Sequence, residues 1–248
     1  MKRVLFSILL AVAISPALVS AGEDGTEILN QRCAECHDLT GPAPQTIRDL
    51  WKRDAPDLFY AGNKFRREWL VSWLQKPERL RPAGVNYLRT INSTPKKHQD
   101  TKKDAKQFDV LWGAVLKPLR HDILTGAEAE VVADALMQLK ANEEQVAGMM
   151  LDTSKTVTLE QGEVLIDKVY GCQSCHQIEP GFGGYTGPEL YTAGSRLQPE
   201  FMLSYIKRPR NWDPKIWMPN GNVKPEDLQK IVNYLILLAK EDYHATSD

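Results

Sequence analysis

The sequence predicts an all-α chain of two tandem domains, and three observations carry that expectation. A Cys-x-x-Cys-His pentad occurs twice, as Cys33-Ala34-Glu35-Cys36-His37 and as Cys172-Gln173-Ser174-Cys175-His176. Around each copy the chain repeats one order of segments: a helical entry, a Gly-Pro pair, an amphipathic stretch ended near a proline, and a last amphipathic stretch. The 248 residues allow one or two domains, and pentads so far apart favour two.

The pentad is the attachment signature of a c-type haem. Cysteines three apart lie on one face of a helical turn, where their sulfurs reach the two vinyl groups of one porphyrin as thioethers. The histidine that follows falls beneath the iron and supplies one axial bond, leaving the opposite ligand to set much of the reduction potential and reactivity. Two disulfides or one four-cysteine zinc site are the alternatives. Against them, the two pentads use all four cysteines of the chain, and each carries its histidine in the required place. The sequence therefore calls for two covalently bound haem c groups, one on Cys33, Cys36 and His37, the other on Cys172, Cys175 and His176. Each domain is small, so the porphyrin must form part of its core.

The chain opens Met1-Lys2-Arg3, runs through apolar residues from Val4 to Val19, and reaches Val19-Ser20-Ala21 before turning polar. This pattern predicts a secretory signal peptide, residues 1–21, and export to the periplasm, where thioether haems are assembled. A retained anchor is the competing reading, which Pro16 and the shortness of the run oppose. No later segment is long and apolar enough to cross a bilayer, so no permanent membrane span is expected. Loss of Lys2 and Arg3 takes the formal charge from −1 to −3, which gives no reason to expect a nucleic-acid partner.

The N-terminal domain is expected over residues 22–151. Residues 27–32 form a helical entry to the first pentad. Gly41-Pro42 follows in a loop, then Arg67 to Pro77 as an amphipathic helix with Trp69 and Trp73 one turn apart, and a last helix introduced by the capping box Thr125-Gly126-Ala127-Glu128. An insert near 78–124 carries Lys96, Lys97, Lys102, Lys103 and Lys106, read as a solvated face before a docking patch, and an extra helix bearing Phe108, Leu111, Trp112 and Val115. A polar linker, residues 152–157, leads to the C-terminal domain, 158–248. There Thr158-Leu159-Glu160-Gln161 is a capping box ahead of the second pentad, glycines 181, 183, 184 and 187 form a flexible wrap around the haem, and Pro225 opens the last helix. Met202 sits on the apolar face of the middle helix and is read as core. A carbonyl from each Gly-Pro loop, Gly41-Pro42 or Gly187-Pro188, can accept a hydrogen bond from the free nitrogen of His37 or His176, and an ordinary turn is the equal alternative.

The order haem helix, loop, middle helix, ligand loop, terminal helix resembles the class I cytochrome c fold, over nearly all of the chain beyond residue 21. In that family a methionine followed by proline ahead of the last helix is the distal ligand, and Trp217-Met218-Pro219 matches it here. The resemblance thus implies His176 and Met218 as the two axial ligands of the second iron, a closed centre of raised potential that transfers electrons without binding substrate. Aligning the last helices on Leu136 and Leu235 puts Leu119 opposite Met218, so the first centre lacks this methionine. His121 is the preferred distal ligand there, two positions on. His98, in the lysine-rich insert, and an open or water-bound iron are the alternatives.

The expected function is a periplasmic di-haem electron relay between a donor dehydrogenase or oxidoreductase and an acceptor cytochrome or oxidase. A catalytic di-haem oxidoreductase with the first haem as active site, and a haem subunit of a dehydrogenase complex, are the alternatives. Thiosulfate-oxidising di-haem cytochromes place a cysteine on the active iron, and no spare cysteine exists here.

Overall fold

A computed structural model describes residues 24–81, 110–111, 114–115, 121–241 and 243. The expected signal peptide, residues 1–21, the lysine cluster with His98, and Leu119 lie outside the described residues. Two helical halves emerge, each built on a short helix before its pentad and a long helix after it.

In the first half, α1 (Gly25–Ile28) is capped by Asp24, whose carboxylate accepts from Thr26 N, and runs on through a π-helical turn, Leu29–Cys33. After α2 (Ile47–Lys52) and the single turn α3 (Ala61–Lys64) comes α4 (Arg67–Gln75), which buries Leu70 and Leu74. The last helix, α5 (Gly126–Gln138), carries the complete Thr125–Glu128 capping box and buries Ala129, Val132, Ala133 and Leu136. These side chains join Ile28, Leu29 and Phe65 in one core.

The second half repeats the plan. Its capping box, Thr158 with Gln161, starts α6 (Leu159–Val164), again extended by a π-helical turn, Leu165–Val169. The single turn α7 (Ala193–Arg196) precedes α8 (Pro199–Lys207), and α9 (Pro225–Leu238) closes the fold with Pro225 at its first position. Ile166, Ile178, Met202, Leu203, Ile231, Val232 and Leu235 form its core, so Met202, at 2 % exposure, packs as an ordinary core residue.

Two expectations are corrected. Within residues 108–115, expected as an extra helix, the described residues are strands: Val110–Leu111 and Ala114–Val115 pair as a two-stranded antiparallel ladder, β1 and β2, with Leu111 opposite Ala114. The β-branched Val110 and Val115 face each other in the register and suit a strand, and a short apolar run fits strand as readily as helix. The glycine-rich stretch after the second pentad, expected as a flexible wrap, begins with a ladder that takes in Gly183, and Gly184 and Gly187 lie beyond it. Gln177–Glu179 (β3) pairs with Phe182–Gly183 (β4).

The halves meet through their backbones. Phe65 and Leu197 form an antiparallel bridge, Arg66 N donates to Arg196 O and Gln198 N donates to Lys64 O, each at 2.9 Å. The side chains repeat the exchange: Arg66 Nε donates to Leu197 O at 2.9 Å and Gln198 Nε2 to Phe65 O at 2.8 Å. The participants occupy matching places in Ala61-Gly62-Asn63-Lys64-Phe65-Arg66 and Ala193-Gly194-Ser195-Arg196-Leu197-Gln198, so the junction has local two-fold symmetry. Beside it, Phe59 and Tyr60 pack with Phe201 and Trp212 in a core shared by both halves. Arg53 bridges the same junction, pairing with Asp57 at 2.8 Å and with Asp213 at 2.9 Å, all three well buried. Burial lifts the Asp57 carboxyl to about 6, against the pull of Arg53.

Glycine at the second place of each repeat lets the single turn touch the long helix of its own half. A Cβ on Gly62 would overlap Met137 O, and one on Gly194 would overlap Leu235 O and Ile236 Cα. Because backbone cannot step aside as a side chain does, Gly194→Ala is expected to lower unfolding free energy by about 1–3 kcal/mol, the range for overpacking. A denaturant titration showing an unchanged midpoint would refute this account of the junction.

Candidate functional site

The first pentad continues directly from the π-helical turn, which winds the chain so that Cys36 N and His37 N both donate to Cys33 O, at 3.1 and 2.9 Å. Cys33 and Cys36 therefore bracket one helical turn. The Cys33 thiol is half-buried against the first core, and burial raises its pKa; Cys36 is exposed. None of the four cysteines is in a disulfide.

His37 places Nδ1 2.6 Å from Pro56 O. A carbonyl only accepts, so Nδ1 carries the hydrogen and Nε2 keeps its lone pair. Burial lowers the pKa of His37, more than the Pro56 contact raises it, and the ring stays a neutral base. The expected acceptor in the Gly41-Pro42 loop is thus replaced by Pro56. Asp38 explains the change: its backbone carbonyl accepts from Leu58 N and Phe59 N, which draws residues 56–59 alongside the pentad, while its carboxylate turns the 40–41 loop by accepting from Thr40 N and Gly41 N.

Across from His37 stands His121. The ring centres are 6.2 Å apart with planes at 66°, and His121 Nδ1 lies 2.8 Å from Asp122 O, leaving Nε2 with the lone pair here too. Four contacts bring His121 to this place. Arg32, next to Cys33, pairs with Asp122 at 2.9 Å and with Glu128 of the α5 capping box at 2.7 Å. Leu124 N donates to Leu74 O at 3.0 Å, fastening the segment to the end of α4. Trp73 meets the His121 ring edge to face at 4.6 Å and 74°. Neither the Trp73 contact nor the Arg32 pairs can be read from the sequence. Arg32 precedes Asp122 by 90 positions and Glu128 by 96, a separation that no local pattern bridges.

The second pentad shares the backbone plan: Cys175 N and His176 N donate to Cys172 O, each at 3.1 Å. Gly171, with φ +64°, makes the turn that starts it. His176 Nδ1 lies 2.6 Å from Pro188 O, in the Gly187-Pro188 loop as the sequence predicts, and burial again lowers its pKa. Arg81 and Arg196 act in the same direction, so positive charge gathers near this ring. Arg196 is buried and ion-paired with Glu189 at 3.4 Å. Its counterpart at the junction, Lys64, lies over the rings of Tyr60, Phe65 and Phe201, and burial draws its pKa down to about 7. Met218 is half-buried in the loop ahead of α9, beyond the fully buried Trp212 and next to Trp217, which is 76 % exposed.

The structure thus brings the His37 and His121 rings within 6.2 Å of each other at a steep angle, holds His176 against Pro188, and places Met218 in the loop that leads into α9. Among the described residues no three of His, Cys, Asp or Glu gather as ligands for a bare metal ion. Comparison of the chain with protein-family models, with curated proteins and with solved structures returns no match.

Gly187 is fitted to its histidine. Its N–H donates to Cys175 O at 2.7 Å, and a Cβ there would overlap His176 Cε1 and Nδ1. Gly187→Ala is therefore expected to displace either the ring or the Pro188 carbonyl and to destabilise the half that carries His176. A denaturant titration checks this: a lowered midpoint is expected, and equal behaviour of variant and parent would refute it.

Proposed function

We propose that the chain is an exported di-haem c-type cytochrome of two tandem class I domains, an electron relay between a donor dehydrogenase or oxidoreductase and an acceptor cytochrome or oxidase. The observation that carries the proposal is the twice-repeated pentad in which each histidine gives Nδ1 to a proline carbonyl and keeps Nε2 as the donor atom. That arrangement fixes ring and tautomer and raises ligand basicity, as axial imidazoles require. The neighbouring thiols of each pair bracket one helical turn, the spacing that two thioether bonds to one porphyrin need.

When bound, haem supplies an iron that takes up and releases single electrons. Cys33 and Cys36 would attach the first, and Cys172 and Cys175 the second. His37 and His121, whose ring centres lie 6.2 Å apart, would hold the first iron through their Nε2 lone pairs, and His176 and Met218 would hold the second. A thioether favours the reduced iron more than a second imidazole does, so the two centres differ in potential, the second being higher. Arg81 and Arg196 add positive charge near His176 that offsets the carboxylates of a haem.

The position of His121 favours relay over catalysis, since an imidazole this near His37 would occupy the remaining axial position of an iron held there. The N-terminal pattern of the sequence supports export to the periplasm. Among the described residues no helix is long and apolar enough to cross a membrane.

Two measurements test the reading. Intact mass should equal the polypeptide cut after Ala21 plus two haems; a haem-free mass with bound zinc would overturn it. Met218→Ala should abolish the ferric methionine-to-iron charge-transfer band and lower the potential of one centre only. Persistence of the band in that variant, with loss on Met202→Ala, would transfer the role to Met202.

A further inference from the structure

We propose that Trp73 is a positioning residue that sets the plane of the His121 imidazole across that of His37, and with it the electronic character of the first centre; this rests on the axial pair proposed above. The two ring planes stand at 66°, much nearer crossed than parallel. Two contacts define the orientation of His121. Its Nδ1–H points at Asp122 O, which permits a swing about that axis, and the edge-to-face meeting with Trp73 removes the swing. Rotation of His121 toward the plane of His37 would give up the edge-to-face geometry that aromatic quadrupoles favour.

Trp73 can serve as a reference surface because it is itself fixed. Its Nε1–H donates to Glu78 O at 3.0 Å, and its ring lies 5.6 Å from that of Trp69 at 30°. Trp69 in turn stacks on Phe65 at 5.2 Å and 24°. Phe65 is buried and takes part in the backbone bridge to Leu197. A continuous row of rings thus runs from the junction of the halves to the first centre, carried on α4, whose Leu70 and Leu74 are locked in the core.

The angle between axial imidazoles has an electronic consequence. Each ring donates through the π orbital normal to its plane. Parallel rings act on the same iron dπ orbital and separate it from its partner, whereas crossed rings act on different orbitals and leave the two nearly equal. A crossed pair therefore gives a ferric low-spin resonance dominated by one very large g value, and a parallel pair gives three well-resolved values.

The test is the paramagnetic resonance spectrum of the ferric di-haem protein. The parent should show a large-g low-spin signal from the first centre. Trp73→Ala should keep that centre low-spin and shift the signal to a rhombic one with three resolved g values, while Trp73→Phe, which retains an aromatic face, should keep the large-g form. An unchanged large-g signal in Trp73→Ala, or a rhombic signal in the parent, overturns the proposal. If Trp73→Ala fails to accumulate, Trp73→Leu fills the space without a ring face and carries the same two outcomes. His121→Ala separates this inference from the reading beneath it: loss of the first low-spin signal is expected, and its survival removes His121 as a ligand whatever the tryptophan variants show.

Discussion

The architecture of both halves depends on one hydrogen bond, from histidine Nδ1 to a proline carbonyl. Proline lends itself to this role, because its fixed φ holds the local backbone in one conformation and restricts the residue before it. The two halves arrive at the same contact by different routes. The second uses the loop immediately after the pentad, with β3 and β4 folding Gly187 and Pro188 back over His176. In the first the acceptor comes from the end of a longer excursion that contains α2, and the Asp38 backbone carbonyl recruits it. What is shared is the carbonyl at the nitrogen, and the connecting path is free to vary.

Much of this is legible in the sequence because the signals are local. Capping boxes at Thr125 and Thr158 and the proline at the start of α9 act within one helical turn, and the structure has each of them where the pattern puts it. His121 can be reached by counting back from the last helix, because α5 and α9 occupy matching places in their halves. The features that escape the sequence have the opposite character. The Pro56 carbonyl, the Arg32 pairs and the Trp73 face reach their partners through tertiary packing. The short strands Val110–Leu111 and Ala114–Val115 escape it for another reason: four apolar residues within eight positions fit a helix as easily as a pair of strands.

The two centres also differ in how charge surrounds them. Near His176 lie two guanidinium groups, Arg196 buried and Arg81 partly so, with Glu189 as the paired anion of Arg196. The acidic groups near the first centre, Asp122 and Glu128, are engaged by Arg32 at the surface. Exposed pairs are screened by solvent and salt, and buried ones are not. The second centre therefore sits in a field that ionic strength barely alters, and the first in one that salt can weaken.

The junction of the halves has a consequence for how such a chain can arise. Residue 65 meets residue 197 and residue 66 meets residue 196 as residue 198 meets residue 64, so the surface each half presents is complementary to its own copy. That is the defining property of an isologous interface, the kind that joins identical subunits about a two-fold axis. Because four of its hydrogen bonds accept on main-chain oxygen, the contact survives the replacement of Phe65 by Leu197 and of Lys64 by Arg196. A gene encoding one half could thus have associated as a homodimer before duplication and fusion.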